Sequence, residues 1–182
     1  TASFSWFPSW AAGILRREIQ AGLAAADPAR LDTAMLSRLR LMDEADFAPY
    51  DGGGEGLYRR VYQAVQRSGS VEEILTLATT KRYPTARVRR MLWAAFLGLE
   101  QPENGIPYVR VLSATADGRR LLRQMRDHGV PVLTKPADVG LLGSEAQSLF
   151  TREARRTDVF ALACPINPSV CGEDWRHTPV MV

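Results

Sequence analysis

The chain's 182 residues are 46% apolar and 24% charged, the balance of a folded globular protein and not of a disordered one. At this length one compact domain, or one domain with a small appendage, is stable without disulfides or metal. No apolar run approaches the roughly 20 residues that span a bilayer, and the opening TASFSWFPSW lacks the basic start and continuous apolar stretch of a signal peptide, so a cytoplasmic protein is expected. The first residue is Thr1, from which a piece of a longer protein is expected.

Helical periodicity begins near Ala11, with Ile14, Leu15, Ile19 and Leu23 at steps of three and four. Asp27-Pro28 then caps and opens a second helix carrying Leu31, Met35, Leu36 and Leu39. The stretch Asp43 to Gly56 is acidic, contains Gly52-Gly53-Gly54, and reads as a flexible connector. A helix resumes near Glu55 with Leu57, Val61, Ala64 and Val65 on one face, and Ser68-Gly69 stops it. Ser70-Val71-Glu72-Glu73 matches a capping box and opens a short helix with Ile74, Leu75 and Leu77.

The net charge is only +3, but residues 81 to 135 hold eleven basic side chains against four acidic ones, as a polyanion-binding footprint does. Every basic residue except Lys81 and Lys135 is arginine, whose planar fork suits bidentate phosphate contacts. Arginine-rich codon usage would explain that preference equally well, but not the clustering. The densest part is KRYPTARVRR, residues 81 to 90, with five cations and no acid. Pro84 suits the first turn of a helix running through Met91, Trp93 and Ala95 to about Gly98, with Val88, Leu92 and Phe96 expected in the core. Cations at a helix start oppose the macrodipole by about 0.3 to 1 kcal/mol per exposed charge, a placement that an anion bound there would explain.

After a turn over Pro102 to Pro107, Tyr108 to Leu112 reads as a strand with Tyr108, Arg110 and Leu112 on one face, followed by a loop from Ser113 to Gly118. Arg119 to His128 reads as a helix with Leu121, Leu122 and Met125 inward and Arg119, Arg120, Arg123 and Arg126 outward. Gly129 ends it, and Val130 to Thr134 reads as a second strand, parallel to the first. Arg110 has two readings, a position near bound phosphate or a structural salt bridge to an acid such as Glu100 or Asp117. A last helix starts at Ser144 and passes through Leu149, Phe150 and Ala154, and the proline-containing tail with Trp175 reads as irregular chain packed back over the domain. The expected fold class is α+β and predominantly helical: a helical bundle followed by a small strand-helix-strand unit with parallel strands.

Cys164 and Cys171 have six residues between them and no histidine pair at ligand spacing, so they read as free thiols and not as a zinc site. His128 and His177 belong to no catalytic pattern, and the sequence holds no HExxH, GxSxG, Walker loop or GxGxxG. No catalytic residue and no metal ligand is assigned.

Several ordered blocks carry a family likeness: EGLYRRVYQAV (55 to 65), the Ser70 capping box, TTKRYPTARVRRMLW (79 to 93), YVRVLSATADGRRLL (108 to 122) and PVLTK (131 to 135). Together they resemble the C-terminal half of the bacterial tRNA(Met) cytidine acetate ligases, which are nucleotidyltransferase-like proteins. In that family an N-terminal domain with a HxGH motif activates acetate with ATP, and the acetyl group passes to the wobble cytidine of elongator tRNA(Met). The motif is absent from this sequence. The resemblance therefore implies a tRNA-binding region, with tRNA and a nucleotidyltransferase domain of the same polypeptide as partners, no DNA or membrane partner, and ATP as the cofactor of the full-length enzyme. Residues 1–54 would then be a helical and linker segment at the junction with that domain, and residues 55–182 the RNA-binding domain.

The RNA-contacting candidates are Lys81, Arg82, Thr85, Arg87, Arg89 and Arg90, together with Arg110, Arg119, Arg120 and Arg123, so that RNA bridges the basic helix and the crossover unit. A further family block, Ser-x-Thr-Ala-Ile-Arg with Gly six residues on, matches Leu15-Arg16 and Gly22, while Ala11, Ala12 and Gly13 replace its hydroxyl residues. Through that block the resemblance makes Arg16 the nucleotide-binding candidate. Two other readings stand beside it: a helical scaffold or oligomerisation domain of an enzyme acting on a small metabolite, and a stand-alone RNA-binding adaptor.

Overall fold

The computed structural model describes residues 6–22, 26–99, 107–166 and 170–182. In chain order the elements are α1 (Ser9–Gln20), α2 (Asp32–Arg40), α3 (Leu57–Arg67), α4 (Val71–Ala78), α5 (Thr85–Leu97), β1 (Val109–Arg110), β2 (Ser113–Ala114), α6 (Ala116–Asp127), β3 (Val132–Leu133), α7 (Ser144–Ala161) and β4 (Val180–Met181). Short 3-10 segments occupy Pro28–Leu31, Glu44–Tyr50, Pro136–Leu141 and Glu173–Trp175. The fold is α+β and predominantly helical, with parallel strand pairs. Among the described residues no helix is long and apolar enough to cross a membrane.

Contacts divide the chain into two units, one of residues 27–101 and one of residues 1–26 with 102–182. The division expected after residue 54 falls inside the first of these.

The unit of residues 27–101 is built on helical periodicity. In α3 the residues at steps of four, three and one, Leu57, Val61, Ala64 and Val65, are all buried. They pack with Met35 and Leu39 of α2, Ile74 and Leu75 of α4, and Val88, Met91 and Leu92 of α5. Each large aliphatic side chain so buried stabilises the unit by about 1.5 to 3 kcal/mol relative to exposure. Phe96 is only partly buried, edge-on to Trp93. The stretch expected to be a flexible connector is corrected by Glu44–Tyr50, which anchors Phe47, fully buried, in this core. Phe47 and Tyr50, the two aromatics of this acidic, glycine-containing segment, show no periodicity to reveal them, yet the burial of Phe47 fixes the chain there.

Ser70 caps α4 as expected, accepting from the Glu73 amide at 3.1 Å, while the Glu73 carboxylate reaches back to the Gly69 amide at 2.7 Å. Pro84 stands at the residue before α5 and not inside it. Gly98 closes α5 in the left-handed region, φ 60°, and the Leu99 amide donates to the Ala94 carbonyl at 2.8 Å, a helix-ending geometry that glycine adopts without strain.

In the unit of residues 1–26 and 102–182, α1 is followed by Gly22, whose φ is +72° and whose carbonyl accepts from the Ile166 amide at 3.1 Å. Any Cβ there would stand 2.4 Å from Ile166 Cγ1. Leu23, expected to prolong this helix face, and Glu100, one expected partner of Arg110, lie outside the described residues.

β1 pairs in parallel with β3, Val109 opposite Val132, as the crossover reading required. The expected loop after it instead supplies β2, parallel to β4 with Ser113 opposite Val180. The Val109 and Val111 amides donate to Pro131 and Leu133, whereas Leu112 and Ala114 accept from Val180 and Val182. The chain bends at Leu112, and the two short strands on either side of the bend take different partners, β3 before it and β4 after it. β2, Ser113-Ala114, has none of the β-branched residues that marked β1 and β3 in the sequence.

Thr115 caps α6, accepting from the Gly118 amide at 3.1 Å. No described residue of α6 is buried, and Leu121, expected inward, is 58% exposed. The two-residue strands beside this helix form too narrow a platform to cover its apolar side. Behind the strands, Ala146, Phe150 and Ala154 of α7 pack with Tyr108, Leu133 and Val139. The tail returns over α7 as expected, setting Trp175 edge-on to Phe150 at 4.8 Å. Cys164 is buried and Cys171 exposed, both as free thiols.

Candidate nucleic-acid interface

Within residues 27–101 the basic stretch forms a tight turn followed by the first turns of α5. The Thr80 amide donates to the Tyr83 carbonyl, and the Tyr83 amide to the Thr80 hydroxyl, both at 3.0 Å. Tyr83 is buried, with its hydroxyl donating to the Glu55 carbonyl at 2.6 Å, so the turn is pinned while its neighbours stay at the surface. Lys81, Arg82, Thr85, Arg89 and Arg90 are all exposed. Lys81, Arg89 and Arg90 have no acidic partner among the described residues, and Arg82 stands 3.9 Å from the Glu55 carboxylate.

Arg87 differs. Its guanidinium donates to Glu55 Oε2 at 2.8 Å and to the Asp51 carbonyl at 3.3 Å, and lies 3.5 Å from the buried Asp51 carboxylate. It also sits 5.5 Å from the centre of the Tyr83 ring, at cation-π distance. The Arg87 hydrogen bond and charge hold the Glu55 carboxyl below its ordinary range, more than offsetting burial. The acids that the start of α5 lacks in its own sequence are thus supplied by the loop before α3. Sequence order gave no signal for this pairing, because the partners lie 32 and 36 residues apart.

The other candidates belong to the second unit. Arg119, Arg120 and Arg123 lie exposed on α6. Arg120 bonds Asp117 on the same helix, and neither Arg119 nor Arg123 has an acidic partner among the described residues. Arg110 lies apart from them, donating to Asp174 at 2.7 Å with its guanidinium 5.3 Å from the Phe150 ring centre. The salt bridge expected as one of its two readings exists, with Asp174 as the acid instead of Glu100 or Asp117. Arg110 and the Thr157 hydroxyl, which donates at 2.8 Å, hold the Asp174 carboxyl below its ordinary range against burial. Arg16 is exposed on α1. Among the described residues no group of three or more His, Cys, Asp or Glu gathers as a metal site.

A cleft of about 250 Å³ opens beside Arg110, between the end of β3 and the start of β4. Its lining includes Leu112, Thr134, Lys135, His177 and Pro179, none of which was singled out as a site residue from the sequence. The available signal was position: ligand crevices of parallel sheets lie beyond the carboxyl ends of the strands, which is where PVLTK finishes.

The HIGH Nucleotidyl Transferase family model matches residues 2–172. The chain belongs to that family. Among its relatives, the tRNA(Met) cytidine acetate ligase of Clostridium kluyveri is 35% identical over 136 residues, covering 70% of this chain and 31% of that protein. The ligase of Thermoanaerobacter pseudethanolicus is 30% identical over 128 residues, 68% of this chain and 31% of the relative. That of Syntrophomonas wolfei is 25% identical over 181 residues, 92% and 43%. The apo crystal structure of Thermotoga maritima TmcAL superposes with a TM-score of 0.83 at 23% identity, over 97% of this chain and 46% of that one. The same protein bound with alpha-thio ATP gives 0.83 as well. These likenesses establish a shared fold, and the chain spans less than half the length of the relatives it matches.

Proposed function

We propose that this chain is the tRNA-binding C-terminal region of a tRNA(Met) cytidine acetate ligase acting in the cytoplasm. A nucleotidyltransferase domain of the same polypeptide would use ATP and acetate to acetylate the wobble cytidine. The observation that carries the proposal is the trio Lys81, Arg89 and Arg90, exposed and without acidic partners among the described residues, on a chain whose relatives are named as ligases acting on tRNA(Met). Unneutralised surface cations grouped on one turn and helix start attract a phosphate backbone. Arg82 and Thr85 border the trio and extend it, while Arg119 and Arg123 on α6 offer a second set.

The residues present do not by themselves make an ATP site. Arg16 is one exposed guanidinium on α1, and the sequence has neither the HxGH motif nor a phosphate-cradling loop. Arg16 would contact the nucleotide only beside the nucleotidyltransferase domain, and no reaction step is assigned to this chain. The purified 182-residue protein is expected to release no pyrophosphate from ATP and acetate, and acetate-dependent release would overturn this.

Each neutralised phosphate contributes about −0.7 to −0.9 to the slope of log affinity against log salt. Filter binding of elongator tRNA(Met) at a series of salt concentrations is therefore expected to show weaker affinity and a flatter slope when Arg89 and Arg90 are both replaced by Ala. An unchanged slope and affinity would sink the proposal. The double charge reversal Arg119→Glu with Arg120→Glu tests α6 separately: a sharp loss of binding with the fold intact brings α6 into the interface, and no change confines the interface to residues 81 to 90.

A further inference from the structure

The cleft beside Arg110 is formed by a change of strand partner. The segment 109–114 pairs with β3 over its first residues and, after a bend at Leu112, with β4 over its last. β3 leaves after Leu133, because the Thr134 and Lys135 amides turn to the Asp138 carboxylate at 2.8 and 3.1 Å. β4 does not begin until Val180. Crevices beyond the carboxyl ends of parallel strands are where α/β folds hold ligands.

The lining has two characters. Lys135 is exposed with no acidic partner within ion-pair distance among the described residues, and Thr178 and His177 line the same cleft, whereas the Thr134 hydroxyl there already donates to the Asp138 carboxylate at 3.0 Å. Arg110 is fixed at the base by Asp174 and by Phe150, and because Asp174 also lines the cleft this pair adds no net charge there and leaves Lys135 as the cation available to a ligand. The opposite character comes from Val111, Leu112, Pro136 and Pro179. Leu112 is 73% exposed, a large aliphatic left uncovered at the rim.

A ligand that satisfies both sides carries an anionic group and a flat, largely apolar body. At about 250 Å³ the cleft lies below the roughly 300 to 1,000 Å³ of pockets for drug-sized ligands, which fits one base with its phosphate and not a longer unit. We propose that this cleft binds a single nucleotide unit, its phosphate on Lys135 and the Thr178 hydroxyl and its base against Leu112 and the prolines. The nucleotide could be free or could be one residue splayed from an RNA strand, as single-stranded bases are when proteins read them. The proposal does not depend on the tRNA-binding role, which bears only on the source of the nucleotide.

Amide NMR titration of the 182-residue protein with 5′-CMP and, separately, with a single-stranded pentaribonucleotide tests it. Saturable shifts at Leu112, Thr134, Lys135 and Thr178 are expected, weakened about tenfold by Lys135→Ala, in keeping with loss of one charge-assisted contact, and by Leu112→Asp. Both substitutions fall on exposed side chains, so the spectrum should otherwise stay folded. Shifts with both probes, or with 5′-CMP alone, establish a mononucleotide site, and shifts with the pentamer alone place the source in a strand. Silence at these amides with both probes overturns the proposal. If tRNA still binds with the salt slope set by Arg89 and Arg90 while the cleft is silent, the cleft proposal falls and the tRNA-binding one stands. A responsive cleft in a protein that does not bind tRNA gives the converse.

Discussion

Arg87 stands among four other cations in a ten-residue stretch, yet its guanidinium is spent on Glu55 and Asp51. Asp51 is almost wholly buried, with one carboxylate oxygen lacking a hydrogen bond and the other taking only the Gly56 amide at 3.1 Å. Removing Arg87 leaves that buried charge without its counter-ion, whereas removing Lys81 or Arg90 removes only solvated charge. Arg87→Ala is therefore expected to lower unfolding stability by about 1 to 3 kcal/mol. Lys81→Ala and Arg90→Ala should stay within about 0.5 kcal/mol of the parent. Urea denaturation checks this, and equal losses at all three would refute the division.

Asp174 makes the corresponding case in the other unit. Its folded carboxyl is held below the ordinary value by Arg110 and Thr157, so its contribution is fully present above the ordinary aspartate pKa of about 3.9. It is lost as pH falls through the lower folded value. Asp174→Asn should destabilise the protein at neutral pH and flatten the decline of its thermal midpoint below about pH 4. An acid limb parallel to the parent's would show that the pair does not govern it.

Elements held by local rules were the legible ones. Ser70 and Glu73 both satisfy first-turn amides or those just before α4, and caps of this kind contribute about 1 kcal/mol. Ser70→Ala is expected to cost that much in urea denaturation while Ser70→Asn costs far less, and a loss of the same size in both would mean that the hydroxyl is not acting as a cap. The apolar faces of α3, α4 and α5 were equally readable, because burial follows the helical repeat. What stayed hidden depends on residues far apart in the chain. Phe47 is held by a core that other helices build, β2 exists only because β4 arrives from the tail, and Arg110 finds Asp174 across 64 residues. The candidate site divides the same way. The exposed cations could be picked from clustering alone, but which of them are already neutralised, and the cleft beside β3, required the tertiary fold.

Across the whole molecule the two units are built to different depths. Residues 27–101 hold a core of 15 buried side chains, among them Phe47, Leu57, Val61 and Ile74 with no exposed surface. Among its described residues the second unit's main cluster has six, its strands are two residues long, and α6 buries none. Local opening free energy rises with buried apolar contact and falls where backbone hydrogen bonds face solvent. Hydrogen exchange should therefore be slowest at the amides of Val61, Val65, Ile74 and Leu92, and faster by orders of magnitude at Leu122 and Met125. The amides of Val109 and Val111, paired to β3 but on a narrow ladder, should fall between. If a bound nucleotide bridges the wall at Lys135 and the rim at Leu112, the amides of Val111 and Val180 should slow selectively when 5′-CMP is added, with no change at Val61. Equal slowing in both units would mean that the nucleotide acts through global stability and not through the cleft. Slowing at Val111 and Val180 alone ties the least deeply packed part of the fold to ligand binding, which is where binding has the most order left to supply.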